Sequence, residues 1–266
     1  MLNILLIKLI IAIGVVVTLS IVTEKVSPMI AGILAGYPTG SAISLFFFGL
    51  EQGKVYAANS AVYNMVGLFA QLMFFYFYYL SSSVIKKLTL VWASFFGFMG
   101  YFAIIWILHL VSFSKIVSMI IPFVSMILFI YLFRDIKNTK IQKKIKLDFF
   151  VIFIRGVFAA TIILSVIGMA NFVGPKWAGL FSAFPTTTFP LMLIVQISYG
   201  TKHVHSIIKK IPYGIGSLIL YSMGVSITYP IFGIYIGTVI SFVIATIYLL
   251  IINMVQKNIK NLKKIR

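Results

Sequence analysis

The chain has 266 residues, 61% of them hydrophobic and only 10% charged, a composition that excludes an ordinary water-soluble globular domain. It has no cysteine, which excludes disulfides, thiolate metal sites and cysteine nucleophiles. The formal charge of +18 falls in short loops and at the C-terminus, the pattern of cytoplasmic membrane loops rather than of a nucleic-acid partner.

Apolar runs of about 20 residues predict an all-α membrane fold, a polytopic bundle of about nine transmembrane helices. The expected spans are 2–22, 28–50, 59–80, 88–111, 114–133, 149–170, 176–198, 211–228 and 231–254. The first run starts at once and lacks a small-residue cleavage pattern, so it reads as a span rather than a signal peptide. It carries Lys8. The second holds AGILAGYPTGSAI, Ala31 to Ile43, and ends near Glu51. The third closes on the aromatic run Phe74 to Tyr79, which reads as an interface belt near the cytoplasmic side. His109 ends the fourth, and a weakly polar connection, HLVSFSK, leads to the fifth. A basic loop, Arg134 to Lys146, precedes the sixth, which carries Arg155. The seventh holds AGLFSAFPTTTFP, Ala178 to Pro190. His203 and His205 follow, two apart in a basic loop, with no acidic or thiol partner near, so no metal site is expected there. The basic tail after Gln256 suits anionic lipid headgroups.

Charge sets the orientation. Alternating outward from a cytoplasmic Arg134–Lys146 loop puts 17 of the 22 Lys and Arg residues inside and three outside: Lys54, Lys115 and Lys176. That asymmetry predicts a multi-pass protein of the cell (inner or plasma) membrane with its N-terminus outside and its C-terminus cytoplasmic.

Sliding the chain by 147 residues lays Lys8 on Arg155, Pro28 on Pro175 and Ala31-Gly32 on Ala178-Gly179. It also lays Tyr37-Pro38-Thr39 on Phe184-Pro185-Thr186, Gly53 on Gly200 and Gly67 on Gly214, without a gap. The matches fall on residues with special backbone roles, as in an internal repeat. The expected organisation is a first four-span repeat over 1–111 and a linker helix with its basic loop over 112–146. A second four-span repeat follows over 147–256, with a basic tail over 257–266. One extra span between two four-span units inverts the second relative to the first, a common build of secondary transporters.

These elements resemble a known family. Lys8, AGILAGYPT and EQG in the first half, with Arg155, AGLFSAFPT and SYG in the second, are similar to the GlpM-type family of small bacterial inner-membrane proteins. The second half departs in Arg155 and in Ser198, where the first half has Glu51. The resemblance implies two four-span units fused through the fifth span. It implies no catalytic residue and no substrate.

Each proline removes a backbone N–H and pushes away a carbonyl four residues earlier. The breaks at Pro38 and Pro185 lie about ten residues into their spans, near the midplane. Thr39-Gly40-Ser41 and Thr186-Thr187-Thr188 suit a fresh helix start, with Pro expected at the first helical position. Helices starting there would aim N–H groups and a positive dipole end at the centre. The expected solute site therefore comprises Lys8, Tyr37, Pro38, Thr39, Ser41, Arg155, Phe184, Pro185, Thr186, Thr187 and Thr188. Lys8 and Arg155 would select an anion if they face inward, or snorkel to the interface if they do not. Glu51 is the one weak coupling candidate, since no carboxylate lies mid-span. The sequence thus predicts a secondary transporter or facilitator of a small, anionic or polar solute. The alternative is a non-transporting scaffold or accessory subunit for another membrane protein. No catalytic constellation, cofactor or metal motif is expected; the expected partners are the bilayer and the solute.

Overall fold

Backbone polar groups buried away from water must pair within their own segment, which helices alone do locally. The computed structural model describes residues 10, 14, 37–137, 139 and 149–265, and over these it is helical without a strand. The elements are α1 (Thr39–Gln52), α2 (Lys54–Val84), α3 (Thr89–His109), α4 (Lys115–Leu132), α5 (Phe149–Ser182), α6 (Thr188–Tyr199), α7 (Thr201–Ile208) and α8 (Ile211–Ile265). Lys8 with most of expected span 2–22, the first part of expected span 28–50, and most of the Arg134–Lys146 loop lie outside the described residues.

Among the described residues four helices are long and apolar enough to cross a membrane: α2, α3, α4 and the Ile211–Gln256 part of α8. They differ in surroundings. α2 is the buried spine, while α3, α4 and α8 leave most of their apolar surface uncovered. α3 exposes Val91, Trp92, Phe95, Met99, Phe102 and Trp106 along its length. A soluble protein does not tolerate so extended an apolar surface, and a bilayer covers it without cost. These faces are compatible with an integral membrane protein.

Two helix junctions and two kinks inside helices are glycine breaks of one kind. Gly53 (φ 92°, ψ 162°) joins α1 to α2, and Gly200 (φ 83°, ψ 173°) joins α6 to α7. This region of backbone space is essentially open to glycine alone. Both residues cap twice: the Gly53 N–H donates to the Gly49 carbonyl, and the Gly200 N–H to Gln196, while their own carbonyls accept from the helix that follows. Gly174 breaks α5 and Gly233 breaks α8 in the same conformation.

The cations sort to the two ends of α2. At its start, the Lys54 Nζ donates to the Pro230 carbonyl (3.0 Å), Lys115 to Ser226 (3.2 Å) and Lys176 to the Ser112 Oγ (2.9 Å). At its far end, Lys86 lies beside His205, and the Lys209 Nζ donates to the Arg134 carbonyl (2.8 Å). With 31 residues, α2 separates these groups by about 46 Å.

One expectation fails. The run from Phe74 to Tyr79 is no interface belt: Phe74, Phe75 and Tyr78 are fully buried in the core of the bundle. The Phe74 ring meets Phe98, Phe184 and Phe189 edge-on within 6 Å. Lipid and protein core are equally apolar, so composition alone does not separate the two environments.

Candidate functional site

The two proline motifs adopt the same local geometry. At the first, the Thr39 N–H donates to the Tyr37 carbonyl (2.7 Å) and the Ala42 N–H to Pro38 (2.7 Å). At the second, Thr186 donates to Phe184 (2.7 Å) and Phe189 to Pro185 (2.9 Å), each bond displaced by 147 residues from its counterpart. Pro38 (φ −75°, ψ 42°) is the centre of an inverse γ-turn. It precedes α1 as the N-cap rather than occupying the first helical position, since its carbonyl already accepts the first helical bond. At the second motif the N-cap falls two residues after the proline, at Thr187. At the second motif α5 ends at Ser182 and α6 starts at Thr188; at the first, α1 starts at Thr39.

The two breaks meet. A methyl group on Gly40 would collide with the Thr186 side chain, and one on Gly179 with the Ser60 carbonyl of α2. One on Gly67 would lie 2.7 Å from the Ala183 Cβ. From this meeting point α1 and α6 diverge. α1 ends at Gly53, beside the start of α2, whereas α6 carries Gln196, whose amide oxygen accepts from Tyr78 in the penultimate turns of α2. The two helices thus run to opposite ends of the spine.

Protein groups satisfy the carbonyls freed by the second break. The Tyr101 hydroxyl donates to Leu180 (2.6 Å), and the Ser41 hydroxyl of α1 donates to Ser182 (3.0 Å). Asn64, fully buried on α2, ties the junction together. Its amide nitrogen donates to the Ser182 Oγ (2.7 Å) and the Ser41 Oγ (3.2 Å), and its oxygen accepts from the Ser222 hydroxyl of α8 (2.6 Å). One amide therefore links four helices. Bonds of this kind contribute about 0.6–2 kcal/mol each inside a membrane.

The expected site residues divide accordingly. Thr39, Ser41, Thr186 and Thr188 are buried at the junction together with Pro38 and Pro185. Phe184 is an anchor: it stacks on Phe98 at 5.4 Å and meets Tyr101 edge-on at 5.2 Å. Tyr37 turns to a different cluster, stacked on Phe242 (5.7 Å) with its hydroxyl 3.3 Å from the Thr246 Oγ1. Glu51 sits in the exposed last turn of α1, about 18 Å along the helix from the junction. Lys8 and the side chain of Arg155 lie outside the described residues. Asn64, Ser182, Ser222 and Tyr101 were not anticipated, although an Asn in the middle of an apolar span is itself a signal of a buried polar contact.

The histidines are spoken for. α7 is helical, so His203 and His205 point apart: the His203 Nδ1 lies 2.7 Å from the Tyr199 carbonyl, and the His205 Nε2 lies 2.8 Å from the Ser82 Oγ. Burial, and then the nearby Lys86 charge, hold His205 down at about 4, so it is neutral at physiological pH. His109 stacks on Trp177 at 4.1 Å. Among the described residues no three His, Asp or Glu side chains cluster as metal ligands would.

No family model, curated protein or solved structure matches the chain.

Proposed function

We propose that the chain is a small secondary transporter or facilitator with two halves inverted about the Gly40–Thr186 junction, its central site closed in this conformation. The reading extends the resemblance to GlpM-type units, with the halves fused into one chain. One observation carries it: two proline turns of matching geometry open helices at one buried point, and these helices run to opposite ends of the bundle. Discontinuous helices meeting at a repeat interface are the common frame of transporter sites. A small anionic or polar solute fits two positive helix ends facing one centre. Alternating access then amounts to one half rocking on the other across the small-residue contacts at Gly40, Gly67 and Gly179.

Uptake into proteoliposomes tests this. Accumulation of a small organic or inorganic anion is expected, and replacing Lys8 and Arg155 together by Met is expected to reduce it by more than about tenfold, the loss from removing two charge-assisted contacts. Unchanged uptake in that double variant removes the anion assignment.

A second reading has its own support. The freed carbonyls are already satisfied by Tyr101 and Ser41, and the junction is tightly packed. A scaffold supporting another membrane protein needs nothing more. Uptake no different from protein-free liposomes for every anion offered favours that reading.

A further inference from the structure

Gln71 carries an unfulfilled hydrogen-bonding group at the second break. It is 5% exposed, and its Oε1 has no hydrogen-bond partner among the described residues. Its direction follows from helical register. Asn64, Gly67, Gln71, Phe74 and Tyr78 recur at intervals of three and four residues along α2 and share one face. The other four all meet the segment that leaves α5 and enters α6. Asn64 bonds Ser182, Gly67 packs on Ala183, Phe74 meets Phe184 and Phe189, and Tyr78 bonds Gln196. Gln71 lies between Gly67 and Phe74, so it faces the break at the level of Ala183 to Phe189, where α6 begins.

An unpaired buried amide oxygen is expensive to keep, because it forfeits its hydration without a replacement bond. An apolar side chain of the same shape would serve packing better. By that register the side chain lies at the level of the N-terminus of a 12-residue helix, which favours negative charge. The two features are complementary: the helix end takes an anionic group, and the amide oxygen takes a donor on the same molecule.

We propose that Gln71 is a specificity-determining residue of the central site and that it selects anions carrying their own hydrogen-bond donor, such as short hydroxy acids. This rests on the transport reading above and names its substrate class.

The native chain lacks cysteine, so Thr187→Cys places a single thiol at the cap of α6. Its alkylation by N-ethylmaleimide in proteoliposomes is followed with lactate or propionate present, two anions that differ by one hydroxyl. Lactate is expected to slow alkylation about two- to tenfold more than propionate, the range of one neutral hydrogen bond. Adding Gln71→Met is expected to abolish that preference while leaving the thermal unfolding temperature equal or higher. Gln71→Leu serves as a second apolar variant should Met fold poorly. Equal protection by the two anions, or a lactate preference that survives Gln71→Met and Gln71→Leu, overturns the role of Gln71 while the anion reading stands. Protection by neither anion overturns both.

Discussion

The two breaks are alike in backbone and unlike in surroundings. Tyr37 and Phe184 open identical turns, yet Phe184 is locked among Phe98, Tyr101 and Phe189, while Tyr37 lies against Phe242 and Thr246 on the other side of the bundle. Their spines differ too. α2 runs unbroken over 31 residues, whereas the stretch 147 residues on is divided into α7 and α8 just before Pro212, whose counterpart is Met65. Asn64 has no polar counterpart either, since Ile211 occupies its place. The difference separates two jobs. Backbone devices recur because each acts locally, through a proline's missing N–H or a glycine's open backbone. The polar hub occurs once because Asn64 alone meets the serines of α1, α5 and α8.

The largest effect expected is at Gly179. Gly179→Ala drives a methyl group into the Ser60 carbonyl, a backbone atom that cannot rotate away, and should cost about 3 kcal/mol or more. Gly168→Ala, with nothing within 4 Å of the new carbon, should be neutral or stabilising by up to about 1 kcal/mol, the gain from replacing glycine within a helix. Thermal unfolding of the two variants in nanodiscs makes the comparison; equal stabilities would mean that the α2–α5 contact is not close.

Removing the hub comes next. Asn64→Leu strips partners from three serine hydroxyls on three helices and should cost about 2–3 kcal/mol. Ile211→Ala, at the matched position in the other half, loses packing but no hydrogen bond. A double-mutant cycle of Asn64→Ala with Ser222→Ala should give a coupling of about 0.5–1.5 kcal/mol; a coupling near zero would remove the hub.

The glycine turns sharpen the likeness between the halves. Gly53→Ala and Gly200→Ala each force a side chain into a backbone region that only glycine occupies freely, for about 1–3 kcal/mol apiece. Similar, additive losses in chemical denaturation are expected if the turns are equivalent; a marked inequality would show that they are not.

The smallest effect comes from His205. Its folded-state pKa lies at about 4, below the ordinary 6.5, so the unfolded chain binds a proton first as the pH falls. Stability is therefore full above pH 6.5 and declines between pH 6.5 and about 4, by about 1–2 kcal/mol once its partial exposure is discounted. His205→Asn should flatten the dependence in that window. An unchanged slope would assign the acid response to other groups.

Much of the helical frame is legible in the chain. HLVSFSK ends one helix and starts another, as α3 and α4 confirm by stopping at His109 and resuming at Lys115. The proline motifs mark the breaks because proline's missing N–H acts locally. The packing partners are less legible. Hydrophobic periodicity separates inside from outside only when the outside is water, so the buried Phe74–Tyr79 run has the same composition as a lipid-facing belt. Asn64 and Gln71 are visible as polar residues in an apolar run, but what they face depends on contacts more than 100 residues away. Lys8 and Arg155 pair by offset in the sequence, and the described residues do not extend to their side chains.

The lengths of α1 and α6 carry one more consequence. At 14 and 12 residues they extend about 21 Å and 18 Å, each enough for half of a bilayer's hydrocarbon core and short of the whole. Meeting at the junction, they form a pair assembled from two remote pieces of chain. No covalent bond runs through its middle; van der Waals contact at Gly40 and Thr186, with the hydroxyls and amide beside it, does that work. The reach of this pair is set by a seam rather than by the length of any one helix.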